Sequence, residues 1–158
     1  MNKRRFALMT LSLTMLAALP ALARAADAVT WTTTAVPVKT ADGSQAWRLE
    51  FTGRIDPGYI IYGSDFEANL GPNPTRVRYE PADAVKPADT LKSAGTRKGK
   101  DKAFNTDYTY FEGEAKLSQV ITVAAGTRKV TGTLRGQTCH EADGTCTLFR
   151  APFDISLP

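Results

Sequence analysis

Apolar and polar residues alternate along Ala46 to Ile55, with Trp47, Leu49 and Phe51 on one side and Arg48, Glu50 and Thr52 on the other. A period of two is that of a β-strand with one face buried, and this is its cleanest instance in the chain. Val29 to Lys39, rich in Thr and Val, alternates more loosely and predicts a preceding strand. Turns are predicted at Ala41-Asp42-Gly43-Ser44 and Asp56-Pro57-Gly58, the latter leading into a short strand, Tyr59-Ile60-Ile61-Tyr62. Ser64 to Pro74 reads as irregular because Gly71-Pro72-Asn73-Pro74 excludes regular pairing. Thr75 to Tyr79 predicts another strand. Pro81 to Lys102 is polar and rich in Pro and Lys, a long connection with room for one short strand. Phe104 to Phe111 is aromatic and acidic. Glu114 to Val123 and Lys129 to Gln137 predict strands separated by Ala125-Gly126-Thr127, and a last strand runs from Thr147 to Leu157.

After the first 25 residues no stretch sustains a 3.6-residue period. Short strands punctuated by Gly, Pro and Asp predict an all-β antiparallel sandwich. No internal repeat or linker divides the chain, so residues 26–158 are expected to form one domain.

Residues 1–25 have a different character. Lys3, Arg4 and Arg5 precede an apolar run from Phe6 to Leu19, and Ala23-Arg24-Ala25 follows the break at Pro20. This is the pattern of a cleaved secretory signal peptide, and the apolar run is short for a membrane span. The segment also revises the charge. The chain has 20 Lys+Arg against 16 Asp+Glu, and Lys3, Arg4, Arg5 and Arg24 account for the whole excess. The remaining residues balance, so the basic pI supports neither nucleic acid nor an anionic membrane as a partner. About 133 residues remain, enough for one real core, with no second span expected. Export places the domain in an oxidising compartment, where two cysteines usually pair.

Those cysteines, Cys139 and Cys146, are the only two in the chain and flank His140-Glu141-Ala142-Asp143-Gly144-Thr145. The turn chemistry of Asp143-Gly144 lets the chain fold back and bring the sulfurs together. Closing so short a loop contributes only about 2.5 kcal/mol on the chain-entropy estimate. A bridge of this kind is either a hairpin staple or a working redox pair. Exchange chemistry needs one attackable sulfur, one that resolves, and something that shields the pair. Phe104, Tyr108, Tyr110 and Phe111 are candidates for a cover. His140, the single histidine, could lower a thiol pKa, join Cys139 and Cys146 around a soft metal such as Cu(I), or be simply solvated. The spacing fits no zinc pattern, and no phosphate loop or nucleophile–base pair is present. No cofactor is expected.

Several segments taken in order resemble the amino-terminal periplasmic domain of the thiol–disulfide interchange protein DsbD and its stand-alone relatives, the disulfide-bond corrector domains. They are Gly58-Tyr59-Ile60-Ile61-Tyr62, Gly71-Pro72-Asn73-Pro74-Thr75, Phe104 through Tyr110-Phe111-Glu112-Gly113-Glu114, and the strand entering Cys139 and Cys146. The resemblance implies an immunoglobulin-like β-sandwich and a periplasmic cysteine pair that cycles between dithiol and disulfide. Cys146 would form the mixed disulfide with partners and Cys139 would resolve it. A cap over about Asp107 to Gly113, with Tyr110, Glu112 and above all Phe111, would shield the bridge. Tyr59, Tyr62, His140 and Asp107 would lie near it. The implied partners are a separate membrane thiol reductant, and periplasmic thioredoxin-like or disulfide isomerase proteins. The six-residue spacing between the cysteines is longer than the family pattern, and Thr147-Leu148 stands where a proline-rich sequence is usual.

Overall fold

The structure is a computed structural model and describes residues 28–40, 45–67 and 70–157. The expected leader and the turn at 41–44 lie outside these residues. Among those described there is no helix, and therefore none long and apolar enough to cross a membrane.

Two antiparallel sheets face one another. The first has β1 (Val29–Val38), β2 (Ala46–Ile55) and β9 (Glu114–Val123) side by side. Two short strands, β5 (Val85–Pro87) and β6 (Lys92–Ala94), both pair with the far side of β9. The second sheet runs β11 (Cys146–Ser156), β10 (Lys129–His140), β3 (Tyr59–Tyr62), β8 (Thr106–Glu112) and β7 (Arg97–Asp101). Here β4 (Arg76–Tyr79) also pairs with β10, on the β3 side. This is the antiparallel sandwich expected from the alternation, in the immunoglobulin-like form that the resemblance implies.

The core lies between the sheets and is filled by every second residue. In β2, Trp47, Leu49 and Phe51 are buried while Arg48 and Thr52 are exposed, as the sequence period requires. Leu117 and Ile121 of β9 meet Ile61 of β3, Phe111 of β8, and Val130 and Leu134 of β10 in one cluster. Phe153 of β11 packs edge-on against Phe51, with ring centroids 5.2 Å apart. Burying a side chain of this size stabilises by about 1.5–3 kcal/mol, so the core positions pin both sheets.

Three elements depart from expectation. The long polar connection at 81–102 holds three strands, β5, β6 and β7, where one short strand was expected. These are edge or near-edge strands, whose exposed sides need no apolar residues, so the alternation was too weak to read. The aromatic run after Phe104 is a regular strand, β8. The hairpin of β10 and β11 also extends farther than expected, taking both cysteines and His140 into the pairing.

Candidate active site

Cys139 and Cys146 are direct cross-strand partners at the end of the β10–β11 ladder, with their Cα atoms 4.1 Å apart and their sulfurs bonded. The next pair outward carries the hydrogen bond, from the His140 N–H to the Thr145 carbonyl at 2.9 Å. The cysteines thus occupy a non-hydrogen-bonded position, where opposed side chains approach most closely. The turn beyond is closed by the Gly144 N–H to the His140 carbonyl, 2.9 Å. Gly144 has φ of 71°, a conformation that glycine adopts without steric cost. Asp143 accepts from the Thr145 N–H at 2.8 Å and lies 3.2 Å from His140 Nδ1. The Thr145 N–H, foremost, and the His140 ring hold its carboxyl below the usual aspartate value. A further bond, from the Glu141 N–H to the Gly58 carbonyl at 2.8 Å, ties the turn to the start of β3.

The two sulfurs have unlike surroundings. Cys146 belongs to an exposed residue, whereas Cys139 is only 5% exposed. The difference follows from sheet order. β11 is the edge strand; β10 has β3 on its other side, so Cys139 has neighbours on both flanks. Cys139 packs with Ile60 and Tyr62, and around them sit Phe66, Tyr108 and Tyr110. This second apolar cluster lies on the outer face of the sheet, away from the main core. Tyr62 and Tyr108 meet edge to face with centroids 5.1 Å apart, and Tyr108 and Tyr110 are 5.9 Å apart. The Tyr62 hydroxyl lies 3.5 Å from Cys139 Sγ and can donate to it, and Gln137 Nε2 lies 3.9 Å from the same sulfur. Burial, with Tyr108 and Asp101 adding to it, pushes the Tyr62 phenol above its ordinary pKa. Tyr62 therefore remains a proton donor beside the sulfur at neutral pH.

Phe111 does not cover the bridge. It is 1% exposed and belongs to the core between the sheets. Along β8 the side chains alternate, and Phe111 pairs with Ile61, which pairs with Thr138, so all three face inward. Cys139 pairs with Ile60 and Ile60 with Glu112, on the opposite face. A cap centred on Phe111 is excluded by this parity. Of the expected cap residues, Tyr110 and Glu112 share the face of Cys139; Glu112 is held by Arg97 at 2.5 Å. Asp107 pairs with Lys100 farther along the strand and makes no contact with either cysteine. Phe104 is half exposed in the turn between β7 and β8, with its ring over Gly71.

His140 and Tyr59 are also turned away from the sulfurs. They are cross-strand partners with ring centroids 4.9 Å apart. With Trp31, Thr138, Thr147 and Phe149 they line a cavity of about 510 Å³ at the end of the sandwich. As the strand neighbour of Cys139, His140 takes the other face, so the structure does not assemble the Cys–His–Cys set that copper binding would need. No cluster of three or more metal-ligating side chains occurs among the described residues.

The residues that sequence reasoning missed here are Ile60, Phe66 and Gln137. Gln137 was accessible in principle, because it lies two positions before Cys139 on the same strand face. Ile60 and Phe66 join the cluster around Cys139 only through the pairing of β3 with β10 and the turn that follows β3.

These features define a class: an all-β sandwich domain with one cross-strand disulfide, one sulfur open to solvent and the other beneath aromatic side chains. The chain belongs to the family described as thiol:disulfide interchange protein DsbD, N-terminal, whose sequence profile matches residues 27–156. Among solved structures it is similar to the DsbD N-terminal domain of Neisseria meningitidis in the reduced form. That match has 22% identity and a TM-score of 0.50, and covers 68% of this chain and 75% of the other. It is also similar to the N-terminal periplasmic domain of ScsB from Proteus mirabilis, with 12% identity and a TM-score of 0.54, covering 82% of this chain and 46% of that one. No protein with a curated description matches.

Proposed function

We propose that the domain is a periplasmic thiol–disulfide exchange module that passes reducing equivalents through the Cys139–Cys146 pair. The observation that carries this reading is the asymmetry of the bridge, with Cys146 exposed and Cys139 buried. Exchange requires one sulfur that an incoming partner reaches and one that stays protected to resolve the intermediate. Family membership supports the same chemistry, and the ScsB domain, described as periplasmic, supports the compartment.

In the reduced protein the Cys146 thiolate attacks a partner disulfide. A Cys146–partner bond forms, and the partner's second sulfur leaves as a thiolate. Cys139, as thiolate, then attacks Cys146 Sγ. The intramolecular bridge re-forms and the partner's remaining sulfur leaves, so two electrons pass from this domain to the partner. Tyr62 donates toward Cys139 Sγ and would stabilise its thiolate before the resolving step. The electron source would be a separate membrane thiol reductant, and the acceptors periplasmic thioredoxin-like or disulfide isomerase proteins.

The test is a Cys139→Ser variant expressed in the periplasm. It should accumulate covalent complexes through Cys146 that dissolve on reduction. A wild-type bridge that stays fully oxidised in cells carrying a reducing membrane system would overturn the proposal. So would a reduction potential below about −300 mV, the range of structural disulfides.

A further inference from the structure

Away from the bridge, the outer face of the second sheet carries an arrangement that the exchange chemistry does not use. Arg150 of β11 pairs directly with Arg135 of β10, and Arg135 pairs directly with Arg76 of β4. Directly opposed residues point to the same face, so three guanidinium groups lie side by side across three adjacent strands. Arg78 follows two positions along β4, on that same face. Arg76 is engaged, by Glu67 at 3.2 Å and by the Ser64 carbonyl at 3.0 Å. Among the described residues Arg78, Arg135 and Arg150 have no ion pair and no side-chain hydrogen bond, and Arg135 Nε is buried without a partner. Like charges placed directly opposite one another destabilise a sheet, and an unpaired buried donor adds to that cost. Glu67 neutralises Arg76; among the described residues no ion pair does the same for Arg135 or Arg150.

The row is on the face of Cys139 and Cys146. Arg135 and Cys139 are four positions apart on one strand, as are Arg150 and Cys146, a separation of about 13 Å. A typical protein interface covers about 800 Å² per partner, a patch about 30 Å across. A partner footprint of that size centred on Cys146 reaches Arg150 and Arg135.

We propose that this arginine row is a docking surface for an acidic patch beside the reactive cysteines of the partner protein. The inference rests on the exchange reading above and adds the chemistry by which a partner is selected. Acidic side chains about 13 Å from the partner's sulfur would pair with the guanidinium groups of Arg135 and Arg150 and steer the encounter. Complementary charge of this kind acts mainly on the association rate and fades with salt.

The test uses three synthetic peptides, each with a cysteine activated as a mixed disulfide with 2-thiopyridine. Three glycines follow the cysteine, then three Glu, three Gln or three Lys. The reduced domain attacks the peptide sulfur through Cys146, forming a Cys146–peptide bond and releasing 2-thiopyridone, which is followed by absorbance. At low salt the Glu peptide should react about ten-fold faster than the Gln peptide, and the Lys peptide slower than both. In the Arg135→Gln/Arg150→Gln double variant, or in about 0.5 M salt, the three rates should converge on that of the Gln peptide. If the double variant fails to fold, Arg150→Gln alone, at an exposed site, should still reduce the ratio. Equal rates for all three peptides at low salt would overturn the docking inference and leave the exchange reading standing. So would a Glu preference that survives the substitutions. A bridge that dithiothreitol cannot open in the folded protein would instead overturn the exchange reading. Anisotropy of a rhodamine-labelled Glu peptide without cysteine then decides the docking surface separately, by Arg150-dependent binding or its absence.

Discussion

At the scale of single residues, the proposed exchange chemistry turns on Tyr62 and Cys139. The Tyr62 hydroxyl, at 3.5 Å, approaches the buried sulfur more closely than Gln137 Nε2 does at 3.9 Å. Its replacement by Phe should cost only about 1 kcal/mol of stability, the usual net value of a hydrogen bond. The larger effect is expected on kinetics. Without the donor the Cys139 thiolate is less stabilised, resolution slows, and the Cys146-linked intermediate lives longer, as quenched-flow trapping with an activated disulfide would reveal. An unchanged lifetime would make the contact simple packing. Phe111 offers the opposite case. Phe111→Ala should destabilise the domain by about 3–5 kcal/mol, as loss of a core aromatic does. The rate at which dithiothreitol opens the bridge in the folded fraction should stay the same, because the ring lies on the far side of the sheet from the sulfur.

At the scale of elements, the β10–β11 hairpin sets both the sulfur pairing and the sulfur asymmetry. Its turn depends on Asp143, whose carboxyl is held below the usual aspartate pKa by the Thr145 N–H and His140. A carboxyl with a depressed folded pKa contributes stability that is present above its unfolded pKa, about 3.9, and is lost as the pH falls through the folded value. Wild-type protein should therefore lose a small part of its thermal stability as the pH falls from about 5 to about 2 that Asp143→Asn does not lose. Equal losses in the two proteins would show that the turn is held by its backbone bonds alone. The strands of this hairpin were readable from composition, but its end was not. Cys139 and His140 carry no apolar alternation, and only the continuing ladder makes them strand residues. The edge strands β5, β6 and β7 were hidden for the related reason that an exposed, half-paired strand places little hydrophobic demand on its residues.

For the whole molecule, the disulfide contributes little to holding the sandwich together. The bridge closes a short hairpin whose strands are already paired along the length of β11. Reduction should lower the unfolding free energy by about 2.5 kcal/mol or less and leave the fold intact, which comparison of urea titrations of the oxidised and reduced forms would check. A collapse on reduction would mark the bridge as a staple. With a core independent of the sulfurs, the proposed opening and closing of the pair would leave the scaffold in place. By itself the sequence determined the all-β class, the inward face of β2, the identity of the cysteine pair and the family. The first three follow from local alternation or from residues near one another in the chain, and the family from the order of several short segments between Gly58 and Cys146. Only the tertiary structure decided that Tyr62 rather than Phe111 attends the sulfur, that His140 turns away from it, and that four arginines share its face. Alternation fixes sides within one strand, whereas which sides meet depends on register and strand order, and those are set by hydrogen bonds between segments distant in the chain.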